Sequence, residues 1–131
     1  MRLLLDTHIA VWTARGGGEL SRRERELLDA PQAERLFSAV SMWELRLKWN
    51  SFPRSGARKC PASPDSVRDA LVRLGCDELP LTAADAVAEL HTPLAHNDPF
   101  DEILLIQAQQ RGLRLLTRDG RLAEHPLAVG G

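Results

Sequence analysis

Histidine and cysteine are few in this chain, and neither is arranged to bind a soft metal. The only two cysteines, Cys60 and Cys76, stand too far apart for a close-spaced metal motif, and a disulfide framework is not expected. They read as two ordinary thiols. His8, His91, His96 and His125 are scattered, with no close pair at ligand spacing. No apolar run approaches membrane-spanning length, and the opening MRLLLDTHIA meets an acid where a signal peptide would continue its apolar core. A cytoplasmic protein with no membrane role is expected. Internal repeats and low-complexity tracts are also missing. Charge of either sign is not in excess: 17 Lys and Arg face 18 Asp and Glu, a formal net charge of −1. That balance neither suggests nor excludes a nucleic-acid partner, because such binding depends on local patches.

What is present suits a globular fold. The apolar share of 44% and the charged share of 27% are ordinary. A length of 131 residues implies one domain, 1–131, whose folding buries about two-thirds of the unfolded surface. Arg2 to Leu5, Leu36 to Val40 and Leu113 to Thr117 are short apolar runs of the kind found in strands buried on both faces. Short strands are also expected at Glu78 to Leu81 and Leu127 to Val129.

Helix signals fall between these runs. Ser21 with Glu24 reads as a capping box opening a helix over 22–30, and Ser41 with Glu44 as another opening 42–50. Ser63 and Pro64 start a third that ends at Gly75, and Thr82 a fourth over 83–90. Asp98-Pro99 starts a fifth, closed by Gly112. Strands separated by helices imply an α/β fold with a mainly parallel central sheet flanked by helices. Residues 51–63 form the one long irregular stretch, which at that length in a compact domain suggests a functional or a mobile segment.

Ligands in such sheets bind beyond the carboxyl ends of the strands. Four acids fall there. Asp6 ends the first strand, Glu44 lies one turn into the helix after the second, Asp101 one turn into the helix begun by Asp98, and Asp119 just beyond Thr117. Taken singly, Glu44 and Asp101 read as capping acids at the third helical position, and Asp119 as a turn residue. Asp6 fits a structural role least, since an acid ending a buried apolar strand loses solvation. Jointly they pose an electrostatic problem, because two carboxylates ~4 Å apart repel by about 4 kcal/mol at an effective dielectric of 20. Hard oxygen-seeking cations, magnesium or manganese, answer it. His96 reads as a loop residue first and a substrate contact second.

A basic segment accompanies the acids. Arg46, Lys48, Arg54, Arg58 and Lys59 occur before Pro64 with no acid among them, interleaved with Trp49 and Phe52. It suits either a solvated loop or a grip on phosphates. Trp49 suits core packing, or stacking on an unpaired base.

The segments LLLDTHIAVW, SMWELRLK and HNDPFDEILLIQAQQRGLRLLTRDGRL, with the intervals between them, resemble the PIN-domain ribonucleases, and among these the VapC-like toxins of bacterial toxin–antitoxin pairs. The resemblance runs from Met1 to about Leu122. It implies a PIN-like fold and a Mg²⁺ or Mn²⁺ centre held by Asp6, Glu44, Asp101 and Asp119. Asp98 would cap its helix at the outer edge of the site, and the Thr117 hydroxyl would accompany the last acid. RNA would be hydrolysed by metal-activated water, leaving 3′-hydroxyl and 5′-phosphate ends. A cognate antitoxin would inhibit the protein, which would form a homodimer. The chain departs from the family pattern at Glu102, where arginine is common, at Asp85, where this subgroup often has histidine, and in the longer segment after Lys48. The rival readings are a non-catalytic RNA- or protein-binding domain and an aspartyl-phosphate phosphotransferase. The latter would want an acid two residues after Asp6, where His8 stands.

Overall fold

The computed structural model describes residues 1–51 and 62–130. Five strands form one sheet: β1 (Arg2–Leu5), β2 (Glu34–Ser38), β3 (Asp77–Leu79), β4 (Arg114–Leu116) and β5 (Ala128–Val129). Their order is β3-β2-β1-β4-β5, and every neighbouring pair is parallel. The helices are α1 (Thr7–Ala14), α2 (Arg22–Asp29), α3 (Ala39–Trp49), α4 (Pro64–Arg73), α5 (Ala83–Val87) and α6 (Pro99–Arg111).

Strand pleating sends alternate side chains to opposite faces, so the leucine run of β1 feeds two cores. Leu3 and Leu5 join Ile9, Leu28, Phe37, Leu45, Val67 and Leu71 beneath α1, α2, α3 and α4. Leu4 joins Leu104, Leu105, Leu115 and Leu122 on the α6 side. β4 divides likewise, with Leu116 in the first core and Leu115 in the second. Each fully buried leucine contributes about 1.5–3 kcal/mol relative to exposure. The central strand therefore ties both layers to one backbone.

Short-range signals set many of the helix ends. The Ser21–Glu24 and Thr82–Asp85 pairs form complete capping boxes. Ser63 precedes Pro64 as an N-cap, and Asp98 caps α6 by accepting from the Phe100 and Asp101 amides. Gly112 ends α6 in the left-handed conformation (φ 66°), which an L side chain would resist.

Helix α1 was not expected: Ile9, Ala10 and Val11 are buried in succession, with Thr7 buried beyond exposed His8, so it shows no amphipathic period in the sequence. Three local expectations give way to tertiary packing. The second strand covers Glu34–Ser38 where Leu36–Val40 was expected. The following helix begins at Ala39, capped by Ser38, so Ser41 and Glu44 form no capping box. Ser41 is instead a buried residue facing Thr7, their oxygens 3.0 Å apart. α5 stops at Val87, three residues short of the expected end, and Val87 itself is 79% exposed with no core to face. Among the described residues no helix is long and apolar enough to cross a membrane.

Several polar groups on the α6 side are paired. Ser38 donates to the Gln107 side chain at 2.5 Å, and Gln107 donates to the Pro80 carbonyl at 3.2 Å, joining α6 to the ends of β2 and β3. Asp85, one of the departures from the family pattern, is buried and takes two hydrogen bonds from Arg111 at 2.8 and 2.9 Å. That guanidinium, aided by the Thr82 cap, holds the Asp85 carboxyl below the usual carboxylate range against the opposing effect of burial. Asp85 is thus a structural link between α5 and α6.

Removing Arg111 strands a buried anion. Arg111→Ala should cost about 3 kcal/mol at neutral pH. Because the paired Asp85 has a depressed folded pKa, its stabilisation is present above the ordinary carboxylate range and is lost as pH falls through the depressed value. The stability gap between wild type and variant in urea titrations should therefore narrow on acidification.

Candidate metal centre at the carboxyl edge of the sheet

Parallel pairing gathers the carboxyl ends of β1, β2 and β4 along one edge, and the four acids start from there. Asp6 follows β1 directly and is the N-cap of α1, with Oδ1 accepting from the Ile9 amide at 2.9 Å. Its side chain is nearly enclosed, the residue being 8% exposed. The Thr117 hydroxyl also hydrogen-bonds to the Asp6 carboxylate and accepts from the Asp119 amide at 3.1 Å. Thr117 therefore spans the first and last acids, the ends of β1 and β4.

Glu44 is the sixth residue of α3, beyond the first turn, so capping does not account for it. Its Oε1 accepts from the Thr7 hydroxyl at 2.6 Å, and its Oε2 lies 3.1 Å from Lys48 Nζ. Thr7 directly follows Asp6, so one hydroxyl brings the α3 acid towards the β1 acid. Asp101, the third residue of α6, makes no reciprocal capping bond among the described residues. Its Oδ2 meets His96 Nε2 at 2.9 Å instead.

The charge states follow from these surroundings. Burial raises the Asp6 carboxyl above its ordinary range, outweighing its hydrogen bonds and the nearby His8, while Asp101 adds a smaller repulsion. Burial also raises Asp101, where the His96 hydrogen bond opposes the repulsion of Asp98 and Asp119. Asp119 goes the other way, lowered chiefly by its Arg121 partner. The mutual effects link Asp6 to Asp101 and Asp101 to both Asp98 and Asp119.

Cations of the chain itself sit on this cluster. Arg121 Nη2 lies 2.8 Å from Asp119, 3.7 Å from Asp101 and 4.0 Å from Asp98. Among the described residues, no three His, Cys, Asp or Glu stand in metal-holding geometry. The donor chemistry nevertheless fits a hard divalent ion: carboxylate oxygens, two of them on acids that burial makes reluctant to ionise without a cation. The cations on this edge, Arg121 beside Asp119 and Asp101 and Lys48 beside Glu44, are 58% and 40% exposed.

Several supporting residues were not evident in the sequence. Thr7 and Arg121 touch the acids, although only their adjacency in LLLDT and TRDGR hints at it. Glu24, fully buried, receives Arg118 through a hydrogen bond of 3.0 Å and a second, shorter one, so the capping acid of α2 also holds the segment leading to Asp119. Arg118 lies 4.4 Å over the Trp12 ring, and His8 stacks on the same ring at 5.7 Å. His96, read as a loop residue first and a substrate contact second, lies in the segment before α6 and contacts Asp101.

The anticipated RNA-gripping residues divide. Lys48 is committed to Glu44, and Arg46 is exposed at the end of α3. Arg54, Arg58 and Lys59 lie outside the described residues, as does Cys60. Trp49 packs against the first core layer. A cavity of about 410 Å³ between α1, α2 and α4 contains none of the four acids.

The fold and this edge together define a parallel α/β domain with an acid-lined edge, and a family comparison gives it a place. Residues 3–126 match the PIN domain, and the chain belongs to that family. A comparison with curated protein sequences gives no match. The fold is similar to a chain in the crystal structure of VapBC2 from Rickettsia felis bound to a promoter DNA fragment, at 18% identity and a TM-score of 0.65, covering 100% of this chain and 98% of that one. It is also similar to a chain in a toxin–antitoxin complex from Klebsiella pneumoniae, at 21% identity and a TM-score of 0.60, covering 97% and 95%.

Asp6→Asn tests the electrostatic strain. A raised folded pKa makes the carboxylate destabilising once pH rises above its unfolded value, whereas asparagine keeps the cap without the charge. In EDTA at neutral pH the variant should melt higher than wild type, by roughly 4 °C per kcal/mol relieved. The gain should vanish below the ordinary Asp pKa, as followed by circular dichroism.

Proposed function

We propose that this chain is a divalent-metal-dependent endoribonuclease and the toxin of a toxin–antitoxin pair. One observation carries the reading. In a chain of the PIN family, four acids from distant segments start from one sheet edge, with Asp6 and Asp119 joined through Thr117. The similarity in fold to chains of toxin–antitoxin complexes supports the toxin role and a cognate antitoxin as partner. A homodimer in the cytoplasm, formed by one domain over 1–131, completes the proposal.

Asp6 and Asp101 would hold Mg²⁺ or Mn²⁺, with Glu44 and Asp119 completing the set directly or through water. When bound, the ion lowers the pKa of a coordinated water and offsets charge on the phosphate. The residues of the chain prepare that chemistry. Thr117 and the Ile9 amide orient Asp6, Thr7 orients Glu44, and His96 orients Asp101. Asp119, held ionised by Arg121, would orient the attacking water by accepting a hydrogen bond from it. Asp98 caps α6 and lends negative charge from the outer edge.

A second reading, a non-catalytic RNA- or protein-binding domain, draws on the ion pairs that already cover Glu44, Asp101 and Asp119. Aspartyl phosphoryl transfer gains nothing, because His8, the residue two after Asp6, stacks on Trp12.

Two measurements decide between the readings. Millimolar magnesium or manganese should raise the melting temperature of the wild type, since a ligand of the native state adds RT ln(1 + [L]/Kd). Single-stranded RNA should be cut only with metal, and Asp6→Asn or Asp101→Asn should slow cutting by about 10²-fold or more while preserving the circular dichroism spectrum. Equal cleavage by the variants would refute the assignment.

A further inference from the structure

Beside the acid cluster lies a second cavity of about 250 Å³, walled by Arg23, Thr117, Arg118, Asp119, Ala128 and Gly130. Thr117 and Asp119 belong to both places, so whatever occupies the cavity is next to the proposed cleavage centre. Its far wall is fixed by backbone. The Thr117 amide donates to the Val129 carbonyl at 2.9 Å, and a Cβ on Gly130 would stand 2.5 Å from the Thr117 carbonyl oxygen. Gly130 (φ 135°) is the residue that lets β5 close on β4 so tightly.

The charges lining the cavity are unequal in what they leave over. Arg118 is neutralised by buried Glu24. Asp119 is neutralised by Arg121 at 2.8 Å. Arg23, exposed at the second position of α2, makes no hydrogen bond or ion pair among the described residues. Its neighbour Arg22 pairs with Glu26 at 3.1 Å. Among the described residues the cavity therefore has one uncompensated charge, and it is positive.

We propose that this cavity seats a backbone phosphate of the RNA strand adjacent to the scissile one, with Arg23 as its principal cation. The inference rests on the ribonuclease reading and assigns the substrate grip to α2, where the sequence pointed to the segment beginning at Arg46. The chemistry suits a phosphodiester: a guanidinium fork for its anionic oxygens, and a strand that carries phosphates on both sides of the cut. Arg23 sets register along the backbone without reading bases.

The test uses the full chain and a labelled single-stranded oligoribonucleotide, with binding followed by fluorescence anisotropy in EDTA across a salt series. Arg23→Ala should weaken binding about fivefold to tenfold and flatten the slope of log K against log salt by about 0.7, the loss of one phosphate contact. Arg23→Lys should restore most of the slope. In magnesium, Arg23→Ala should raise KM for cleavage and leave kcat and the metal-induced melting shift unchanged. Wild-type affinity and slope in Arg23→Ala would overturn the phosphate seat while leaving the ribonuclease reading intact. Failure of the wild type to bind or cut RNA would overturn both.

Discussion

Parallel hydrogen bonding of β1 to β2 on one side and β4 on the other is the constraint on which the rest of this molecule depends. It places Leu5 level with Phe37 and Leu116, so the three strands end together. An acid just beyond β1, another just beyond β4 and the helix that follows β2 consequently share one edge. An antiparallel neighbour would send one of those segments to the opposite edge and dissolve the cluster. The leucines of β1, split between two cores, are what make this pairing hard to give up.

The site built on that edge is under electrostatic stress, and its surroundings manage the stress without removing it. Burial pushes Asp6 and Asp101 towards protonation, while hydrogen bonds from Ile9, Thr117 and His96 pull them back. Arg121 and Lys48 supply positive charge from exposed positions. The buried pairs elsewhere differ in kind. Glu24 with Arg118 and Asp85 with Arg111 are closed, multiply bonded and held below the usual carboxylate range. A buried pair serves rigidity, whereas the cations on Asp119 and Glu44 stand partly exposed at the open edge.

Those two kinds of acid are coupled. Glu24 caps α2 through Ser21 and grips Arg118, whose neighbour in sequence is Asp119. The α2 terminus is thereby attached to the end of β4, and Arg23, one residue before Glu24, stands beside Thr117 and Asp119 in a common cavity. Structural and proposed functional roles alternate along TRDGR: Thr117 bridges acids, Arg118 anchors, Asp119 faces the site and Arg121 covers it.

How much of this could be read before folding depends on the range of each interaction. The caps at Ser21, Ser63, Thr82 and Asp98, the stop at Gly112 and the core strand RLLL were legible because each is decided within about one turn of backbone. The parallel arrangement followed from strands alternating with helices. The resemblance to PIN domains pointed to the same four acids, and the fold brings their segments to one edge. Helix α1 was hidden because burial of consecutive residues erases amphipathic periodicity, and Ser41 with Glu44 imitated a capping box that Ser38 pre-empted. Two partners of the acids, Thr7 on Glu44 and Arg118 on Glu24, were decided by tertiary structure alone. Those contacts join residues 37 and 94 positions apart, and local chain chemistry carries no record of so distant a neighbour.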